Sequence, residues 1–306
     1  MEQKRKKRVL GIVGPTASGK TALSLPVAER LGAEILCMDS MQIYRGMDIG
    51  TAKPTREERA RVPHSLLDLI APDQPFTVAQ YAAAARERIE SAPIPLLVGG
   101  TGLYLQALSL PMEFGAVPGD EALRARYHRL AQEQGEDALF ALLRARDPVS
   151  AQRLHPHDVR RVVRALEVFE LTGQPLSQQK MPGPEDSPYD FQLYALSLPR
   201  ETLYQRVDAR VDEMLRQGLL EEVRRVRREA PPDAQSMQGL GYKELLPVLE
   251  GRMPLEEATS LLKLRTRHFA KRQLTWFKRD ERIAWLPFQA DMRPYVDLIC
   301  ENYLKE

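Results

Sequence analysis

A glycine-rich motif near the start of the chain constrains the fold more than any other feature of the sequence. Residues 14–21, GPTASGKT, match G-x-x-x-x-G-K-[ST] at every position. A short apolar run, residues 9–13, precedes the motif, and a helical pattern follows it. In this strand–loop–helix context, backbone N–H groups and a helix N-terminus converge on phosphate oxygens. The motif therefore predicts a phosphate-binding loop (P-loop) in an α/β protein.

The remaining elements predict a parallel sheet covered by helices. Further apolar runs end at Asp39 and at Gly99, and they alternate with the helical stretches 20–30 and 79–90, the first of which contains Pro26. Strands separated by helices favour parallel pairing, and proline inside a helix predicts a kink. Two later strands are predicted at 191–198 and 282–286, with helices at 200–228, 242–250 and 254–279. The predicted fold class is α/β, with a P-loop NTPase-like parallel sheet.

The middle of the chain reads as an inserted helical domain. Residues 115–119 contain Gly and Pro, and helical patterns follow at 120–134, 137–146 and 157–171. In the last pattern, valines and a leucine at 159, 162, 163 and 166 form one apolar stripe, and Asp158 is a predicted N-cap. We therefore predict a core formed by residues 1–114 and 190–306, with residues 115–189 as the inserted domain.

Composition excludes several classes of protein. Hydrophobic residues make up 43% and charged residues 28% of the 306 residues, which is ordinary for a globular protein. No apolar window approaches the length of a membrane span. The two cysteines, Cys37 and Cys300, form no Cys/His cluster, so neither a zinc site nor a disulfide framework is expected. We expect a cytoplasmic protein without membrane association, and no obligate protein partner is evident.

Positive charge is concentrated locally although the formal net charge is only +2. Residues 4–8 are all Lys or Arg, and residues 263–282 contain eight Lys or Arg against two acids. Such patches indicate either a polyanionic partner or solvated helix faces. Within this basic segment Leu262, Phe269 and Trp276 repeat every seven residues. We expect them to form a core stripe, although aromatic side chains here also fit base stacking.

Three positions are candidates for chemistry near the P-loop. Lys20 is expected to reach a terminal phosphate, and the Thr21 hydroxyl to bind Mg²⁺. Asp39, at the end of the second strand, fits a general base, a second-shell Mg²⁺ ligand or a cap. Thr101, in the Gly-rich turn after the third strand, fits either a hydroxyl contact to phosphate or an ordinary tight turn. From these residues alone, a small-molecule kinase, an NTPase and a diphosphate-releasing transferase all remain open.

Longer motifs resemble the bacterial tRNA dimethylallyltransferase (tRNA isopentenyltransferase) family. GPTASGKT at 14–21 is followed by DSMQIYRGMDIGTAKP at 39–54 and GGTGLYLQAL at 99–108. Later segments are HPHDVRRVVRALEVFELTGQPLS at 155–177, QGLGYKE at 238–244 and TRHFAKRQLTWFKRD at 266–280. The resemblance extends over nearly the whole chain. The family usually has Asn where this chain has His157, and Pro26 is unusual for the helix after the P-loop.

The resemblance implies a prenyl transfer to RNA. The family moves a dimethylallyl group from dimethylallyl diphosphate to the exocyclic amine of the adenine 3′ of the anticodon, in tRNAs reading codons that begin with U. The P-loop would hold a diphosphate rather than ATP, with Mg²⁺, and the partner would be the tRNA anticodon stem-loop. Asp39 would be the general base, while Thr101 and Lys20 would act on the leaving diphosphate.

The resemblance also assigns binding residues. The implied diphosphate-binding residues are Gly14, Thr16, Ala17, Ser18, Gly19, Lys20, Thr21 and Arg210. The implied tRNA-binding residues are Asp39, Ser40, Met41, Gln42, Thr101, Arg124, Arg160, Arg161, Arg164, Gln238, Gly239, Gly241, Tyr242, Lys243, Lys271, Arg272, Gln273, Trp276 and Lys278. The inserted domain would thus be a tRNA-binding domain. A P-loop kinase and an RNA-binding NTPase are the competing hypotheses.

Overall fold

The chain forms two compact units in the computed structural model, which describes residues 6–110, 119–179 and 186–305. One unit comprises residues 1–109 and 187–306, and the other comprises residues 110–186. The predicted start of the insertion at residue 115 lies outside the described residues, as does Pro118. Among the described residues, no helix is both long and apolar enough to span a membrane.

The first unit is built on a parallel six-stranded sheet in the order β3-β2-β4-β1-β5-β6. The strands are β1 Lys7–Val13, β2 Glu34–Met38, β3 His64–Ser65, β4 Pro95–Gly99, β5 Tyr189–Ser197 and β6 Ile283–Pro287. Strand β1 is central, between β4 and β5. The carboxyl ends of β1, β2 and β4 therefore share one edge, where parallel α/β sheets place ligands. The predicted α/β class is confirmed.

Helices connect and flank these strands. In the first unit they are α1 Lys20–Leu31, α2 Arg56–Arg61, α3 Val78–Ser91, α4 Gly102–Ser109, α9 Arg200–Arg216, α10 Leu219–Glu229, α11 Tyr242–Leu249, α12 Leu255–Phe277 and α13 Arg293–Lys305. Helix α1 continues through Pro26 as a single element and ends at Gly32, whose φ of 66° is left-handed. Leu23 and Val27 of α1 pack with Ile299 of α13 in the main apolar core.

The second unit is helical. Its helices are α5 Glu121–Gln134, α6 Glu136–Arg146, α7 Pro148–Arg153 and α8 Val159–Thr172. The stripe predicted on α8 is confirmed, because Val162, Val163 and Leu166 lie in the unit's core. Asp158 occupies the N-cap position of α8, but its side chain makes no capping hydrogen bond. The predicted N-cap position is therefore confirmed, but the carboxylate lies 3.4 Å from the Arg161 guanidinium in place of a capping hydrogen bond.

Helix α12 corrects the predicted core stripe. Leu262 is buried, but Trp276 is 39% exposed, and the buried residues near the helix C-terminus are Ala270, Gln273 and Phe277. A repeat of seven drifts by about 20° per heptad around a straight α-helix. Over two heptads this drift turns position 276 away from the face that buries Leu262.

Candidate active site

Three loops meet at the carboxyl edge of the sheet around one cavity. The P-loop follows β1, Asp39 follows β2, and the turn at 99–102 follows β4. These loops and residues of α9, α11 and α12 line a cavity of about 610 Å³. Of the predicted diphosphate-binding residues, seven line this cavity: Thr16, Ala17, Ser18, Gly19, Lys20, Thr21 and Arg210.

The P-loop adopts a conformation that suits an anion. Gly19, which caps α1, has a φ of 102°, a conformation that favours glycine. Ala17 also adopts a left-handed φ of 62°, which costs free energy for a residue with a Cβ. The Ser18 side chain is fully buried, and its hydroxyl has no hydrogen-bond partner among the residues that the structure describes. Buried polar groups are normally paired, so this hydroxyl fits a ligand oxygen.

Lys20 lies in a desolvated and positively charged environment. Its ammonium donates to the carbonyl oxygens of Pro15, at 2.8 Å, and Gly14, at 3.1 Å. Burial and the nearby Arg210 guanidinium lower the pKa of Lys20 to about 7, although the Asp39 carboxylate opposes this shift. Burial and Arg206 also lower the pKa of Arg210. Such clustered, desolvated cations favour an anionic ligand with more than one charge.

Arg206 is a functional candidate that the sequence analysis missed. Its Nε donates to the Ala17 carbonyl at 2.8 Å, and its guanidinium lies 4.8 Å from the centre of the Phe288 ring. One turn along α9, Arg210 donates to the Thr16 hydroxyl at 3.3 Å. The i, i+4 spacing of the two arginines on one helix face was the available signal. Together they bring two guanidinium groups to the P-loop.

Asp39 has one carboxylate oxygen engaged and one available. Oδ1 accepts from the N–H groups of Met41, at 2.8 Å, and Gln42, at 3.4 Å, whereas Oδ2 makes no hydrogen bond within the described residues. Burial raises the pKa of Asp39, although the Met41 N–H and the Lys20 charge oppose the shift. A carboxylate that is oriented by one oxygen and basic at the other suits proton acceptance.

Thr101 is oriented in a similar way. Its Oγ1 accepts from the Ser40 N–H at 3.2 Å, so the hydroxyl proton remains for a ligand oxygen. Its own N–H donates to the Met38 carbonyl at 3.2 Å. The preceding Gly99 has no room for a side chain, since a Cβ would lie 2.0 Å from the Met38 oxygen. The sheet edge thus holds Thr101 beside Asp39.

Gln273 joins two loops of the site, and its predicted contact with tRNA stays a prediction. It is 7% exposed. Its Oε1 accepts from the Thr16 N–H at 2.9 Å, and its Nε2 donates to the Gly100 carbonyl at 2.9 Å. Both ends of the amide are therefore used inside the protein. Gln273 is a brace from α12 that joins the P-loop to the turn carrying Thr101.

Tyr242 also faces inward. It was predicted to contact tRNA, but the residue is fully buried, and its hydroxyl donates to Glu222 at 2.6 Å. The same carboxylate accepts the three consecutive N–H groups of residues 48–50, each at 2.9 Å. Glu222 thereby ties the segment 39–54 to the turn at 238–243. The Tyr242 hydroxyl is thus engaged inside the protein, while the residue lines the cavity, so its predicted contact with tRNA stays a prediction.

The other members of these two segments line the cavity with differing exposure. Ser40, Met41 and Gln42 are half-buried, Gly239 and Gly241 are buried, and Gln238 is exposed. The Lys243 side chain is 38% exposed, and its ammonium lies 3.9 Å from the Glu244 carboxylate. The cavity wall therefore combines apolar surface with amide and ammonium donors.

The cations of α12 fall into two groups. Toward its N-terminus, Lys263 pairs with Asp212 at 2.6 Å, Arg265 with Glu244 at 2.9 Å and Arg267 with Asp208 at 3.5 Å. Near its C-terminus are the exposed cations Lys271 and Arg272, and directly after the helix come Lys278 and Arg279, which are also exposed. Within residues 6–110, 119–179 and 186–305, none of these four makes an ion pair. Of these two groups, the second is the one that offers charge without an ion pair in the described part of the chain.

In the helical unit a buried carboxylate holds two of the predicted arginines. Glu167 is fully buried, and it pairs with Arg124 at 2.8 Å and with Arg164 at 2.6 Å. Both guanidinium groups remain partly exposed, with side-chain exposures of 46% and 39%. Arg160 is exposed on the same helix as Arg164. His157, the departure from the family pattern, is exposed and its Nδ1 contacts the Glu136 carboxylate.

Comparison with known proteins places the chain in a family. The family model described as IPP transferase matches residues 42–280, and the model described as isopentenyl transferase matches residues 7–68. The chain belongs to the IPP transferase family. It is 48% identical over 296 residues to the tRNA dimethylallyltransferase of Moorella thermoacetica, covering 94% of this chain and 91% of that protein. The corresponding protein of Geobacillus kaustophilus is 46% identical over 282 residues, with coverages of 91% and 90%.

Solved structures agree with this membership. The tRNA isopentenylpyrophosphate transferase of Bacillus halodurans superposes with a TM-score of 0.73 at 39% identity, covering 98% of this chain and 96% of that one. A eukaryotic dimethylallyltransferase acting on tRNA gives 0.80 at 28% identity, with coverages of 97% and 77%. The predicted family is confirmed, and these relatives support a transferase rather than a kinase or an NTPase.

Proposed function

We propose that this IPP transferase family member transfers a dimethylallyl group from dimethylallyl diphosphate to the exocyclic amine of an adenine in tRNA, and releases diphosphate. The adenine would lie directly 3′ of the anticodon in tRNAs that read codons beginning with U, and the product would be N6-isopentenyladenosine. The observation that carries the proposal is the convergence of Asp39, Thr101 and the P-loop on one cavity. We place the reaction in the cytoplasm.

The cationic side of the cavity supports binding and departure of a diphosphate. As the allylic carbon–oxygen bond breaks, negative charge grows on the bridging oxygen. Lys20, Arg206 and Arg210 surround the P-loop, and the free hydroxyl protons of Ser18 and Thr101 are available to it. Donors that are fixed before the reaction stabilise such developing charge efficiently. They would hold the leaving group while the allyl fragment is captured.

The carboxylate side of the cavity supports the nucleophile. The adenine amine is a weak nucleophile because its lone pair is delocalised into the ring. As nitrogen bonds to the allylic carbon, Asp39 Oδ2 would accept the amine proton. The bond between carbon and the diphosphate oxygen breaks in the same exchange, so charge and atoms balance. Because a stacked base cannot reach a cavity of this kind, the adenine would be flipped out of the anticodon loop.

Magnesium fits this donor set. The Thr21 hydroxyl lines the cavity, and Mg²⁺ commonly takes one or two protein oxygens together with phosphate oxygens and water. When bound, the ion would neutralise part of the diphosphate charge. Among the described residues, no group of three or more His, Cys, Asp or Glu forms a metal cage, which is consistent with an ion that binds with its substrate.

A transfer assay without ATP tests the proposal. Purified protein, labelled dimethylallyl diphosphate, Mg²⁺ and an unmodified tRNA with adenine beside the anticodon should give labelled tRNA and free diphosphate. An anticodon stem-loop should also accept label, and the same stem-loop with guanine at the target position should not. Label that enters tRNA only after ATP is supplied would contradict the proposal and favour an ATP-using enzyme.

A further inference from the structure

Phe288 lies directly after the last strand, where its ring packs beside the P-loop. Its N–H donates to the Ser197 carbonyl at 2.8 Å, which extends the pairing of β5 and β6 by one residue at the carboxyl edge of the sheet. The Tyr295 hydroxyl fixes the preceding residue by donating to the Pro287 carbonyl at 2.6 Å. The ring itself packs against the main apolar core. The backbone and the side chain of Phe288 are therefore both held in place.

The Arg206 guanidinium lies over one face of this ring. The guanidinium carbon is 4.8 Å from the ring centre, within the distance at which an aromatic face attracts a cation. Both groups border a glycine of the P-loop, since a Cβ on Gly19 would lie 3.5 Å from Phe288 Cε2 and 3.7 Å from Arg206 Nη2. Arg206 lines the cavity, whereas Phe288 lies outside the lining. The ring therefore contacts Arg206 from behind, as seen from the cavity.

The charge of Arg206 is opposed by other cations. Lys20 and Arg210 line the same cavity, and the Arg206 charge contributes to lowering the pKa of Arg210. Within the described residues Arg206 forms no ion pair, and its attractive partners there are the Ala17 carbonyl and the Phe288 ring. Repulsion between like charges drives a long side chain away from its neighbours. The carbonyl and the ring are thus the contacts that keep this guanidinium against the P-loop.

We infer that Phe288 is a positioning residue, which holds the Arg206 guanidinium in the orientation that receives the diphosphate. This inference rests on the proposed function. The Nε of Arg206 engages the Ala17 carbonyl, and its terminal nitrogens make no hydrogen bond within the described part of the chain. Donors that are ordered before the ligand arrives lose less entropy on binding. Phe288 should therefore raise the affinity for diphosphate without contacting it.

The electronic character of the ring separates this role from simple packing. Replacing Phe288 with mono-, di- and trifluorophenylalanine weakens the negative potential of the ring face while nearly preserving its shape. Each protein is titrated with inorganic diphosphate in the presence of Mg²⁺. The Kd should rise with every added fluorine, by about 2- to 30-fold across the series, the range to which a cation–π contact corresponds. The same Kd in every fluorinated protein would overturn the inference.

A double-mutant cycle tests whether Phe288 acts through Arg206. Phe288→Leu should raise the Kd for diphosphate by about 2- to 30-fold, and Phe288→Tyr, which keeps the ring face, should bind like the wild type. Phe288→Leu should have no further effect when combined with Arg206→Met, but should keep its full effect when combined with Arg210→Met. Such non-additivity is typical of residues in contact. An equal effect of Phe288→Leu in all three backgrounds would contradict the inference.

Tyr204 provides a matched control on the same helix as Arg206. The Arg200 guanidinium lies 5.1 Å from the centre of the Tyr204 ring, and neither residue lines the cavity. Tyr204→Leu should therefore bind diphosphate like the wild type. Because Phe288→Leu removes packing as well as a ring face, its unfolding in urea is measured beside its Kd. If this variant does not fold, the fluorinated series, which retains the shape of the ring, decides the question.

The outcomes separate this inference from the proposed function. A protein that binds diphosphate and transfers label to tRNA, but whose Kd is the same in every fluorinated variant, overturns the role of Phe288 and leaves the proposed function standing. A protein that transfers label but does not bind inorganic diphosphate overturns it as well, because Phe288 is proposed to set that affinity. If the protein neither transfers label nor binds diphosphate, the proposed function fails, and the role of Phe288 fails with it.

Discussion

Asp39 and Lys20 are two oppositely charged groups that share a desolvated cavity. Burial raises the pKa of the carboxyl group and lowers that of the ammonium, while their mutual attraction opposes both shifts. In the free protein, the charged form of each group is therefore destabilised by burial. A substrate that brings negative charge to Lys20 stabilises the ammonium, and one that brings a proton to Asp39 removes the buried negative charge. We therefore expect the two residues to respond differently to pH and to ligand.

Asp39→Asn should fold normally and lower the turnover number by about 10²- to 10⁴-fold, the usual contribution of a positioned general base. The amide keeps the shape and can still accept from Met41, but it cannot take the proton. Transfer rates at saturating tRNA measure the effect, with Asp73→Asn, an exposed aspartate, as the matched control. Turnover near the wild-type value in Asp39→Asn would exclude the base role.

The pH dependence of the rate should follow Asp39. Since burial raises its pKa above the usual 3.8, kcat/KM should rise with pH as this carboxyl group loses its proton, and the midpoint should lie above that of an ordinary aspartate. This rise of kcat/KM with pH should disappear in Asp39→Asn. A profile of kcat/KM against pH, measured in buffers of constant ionic strength, checks this. If the same rise persisted in the variant, it would have to be assigned to another titrating group.

Diphosphate binding should take up protons through Lys20. With a pKa of about 7, the ammonium is largely deprotonated at pH 8 in the free protein, and a bound anion restores its charge. Calorimetry with inorganic diphosphate at pH 8, in two buffers of different ionisation enthalpy, should show an uptake of about one proton. Lys20→Met should bind weakly and without uptake. Equal enthalpies in both buffers for the wild type would contradict the prediction.

The same shift has a consequence for stability. The folded pKa of Lys20 lies below its ordinary value of 10.5, so between about pH 7 and 10.5 the unfolded chain binds more protons than the folded one. The contribution of Lys20 to the free energy of unfolding of the ligand-free protein therefore rises with pH across that window. Bound diphosphate should remove this dependence by restoring the proton.

At the scale of elements, the site depends on one helix that reaches two loops. Helix α12 contributes Gln273, whose amide joins the P-loop at Thr16 to the turn at Gly100. The two loops follow different strands, β1 and β4. The relative placement of the phosphate-binding loop and Thr101 is therefore set from outside the sheet.

Gln273→Leu should destabilise the fold and slow the transfer. The change leaves the Thr16 N–H and the Gly100 carbonyl unpaired, and an unsatisfied buried group costs about 1–3 kcal/mol. Urea unfolding should show a loss of this order, and kcat should fall because the P-loop is no longer fixed against the turn that carries Thr101. Gln217→Leu, an exposed glutamine whose amide bonds only Glu213, is the control. An unchanged unfolding midpoint would show that the brace is dispensable.

At the scale of the whole molecule, affinity for RNA must come from the distribution of charge rather than from its total. The formal net charge is only +2, and many cations are neutralised internally, including Lys263 and Arg267 of α12. Unpaired cations release counterions from RNA when they bind a phosphate, whereas cations already paired with a carboxylate contribute little. Cations that look alike in the sequence should therefore differ in function.

Lys271→Gln and Lys263→Gln form a matched pair on one helix. Removal of Lys271, which has no ion pair within the described residues, should lower the slope of log K against log salt by about 0.7–0.9 for one lost phosphate contact. Removal of Lys263, which is bound to Asp212, should leave the slope unchanged. Arg160→Gln in the helical unit should behave like Lys271→Gln. Equal slopes for all three variants would assign these cations to solvated surface.

Local sequence was sufficient for the class of fold and for placing the proposed reacting groups at one edge of the sheet. The P-loop, the apolar runs that became β1, β2 and β4, and the residues directly after them are defined within a few positions of one another. The carboxyl ends of parallel strands share an edge, so Asp39 and Thr101 were expected beside Lys20 before any contact was known. Short-range periodicity likewise predicted the apolar face of α8.

Only the tertiary structure decided which side chains of the basic and aromatic segments face a ligand. Gln273 and Tyr242 turn inward because Thr16, Gly100 and Glu222, all remote in sequence, supply partners for their polar atoms. Lys263 and Lys271 belong to one helix, but Lys263 is paired with Asp212 of α9, whereas Lys271 has no ion pair among the described residues. Hydrogen bonds, ion pairs and burial depend on which distant segments the fold brings together, and the spacing of residues along the chain does not predict these long-range contacts.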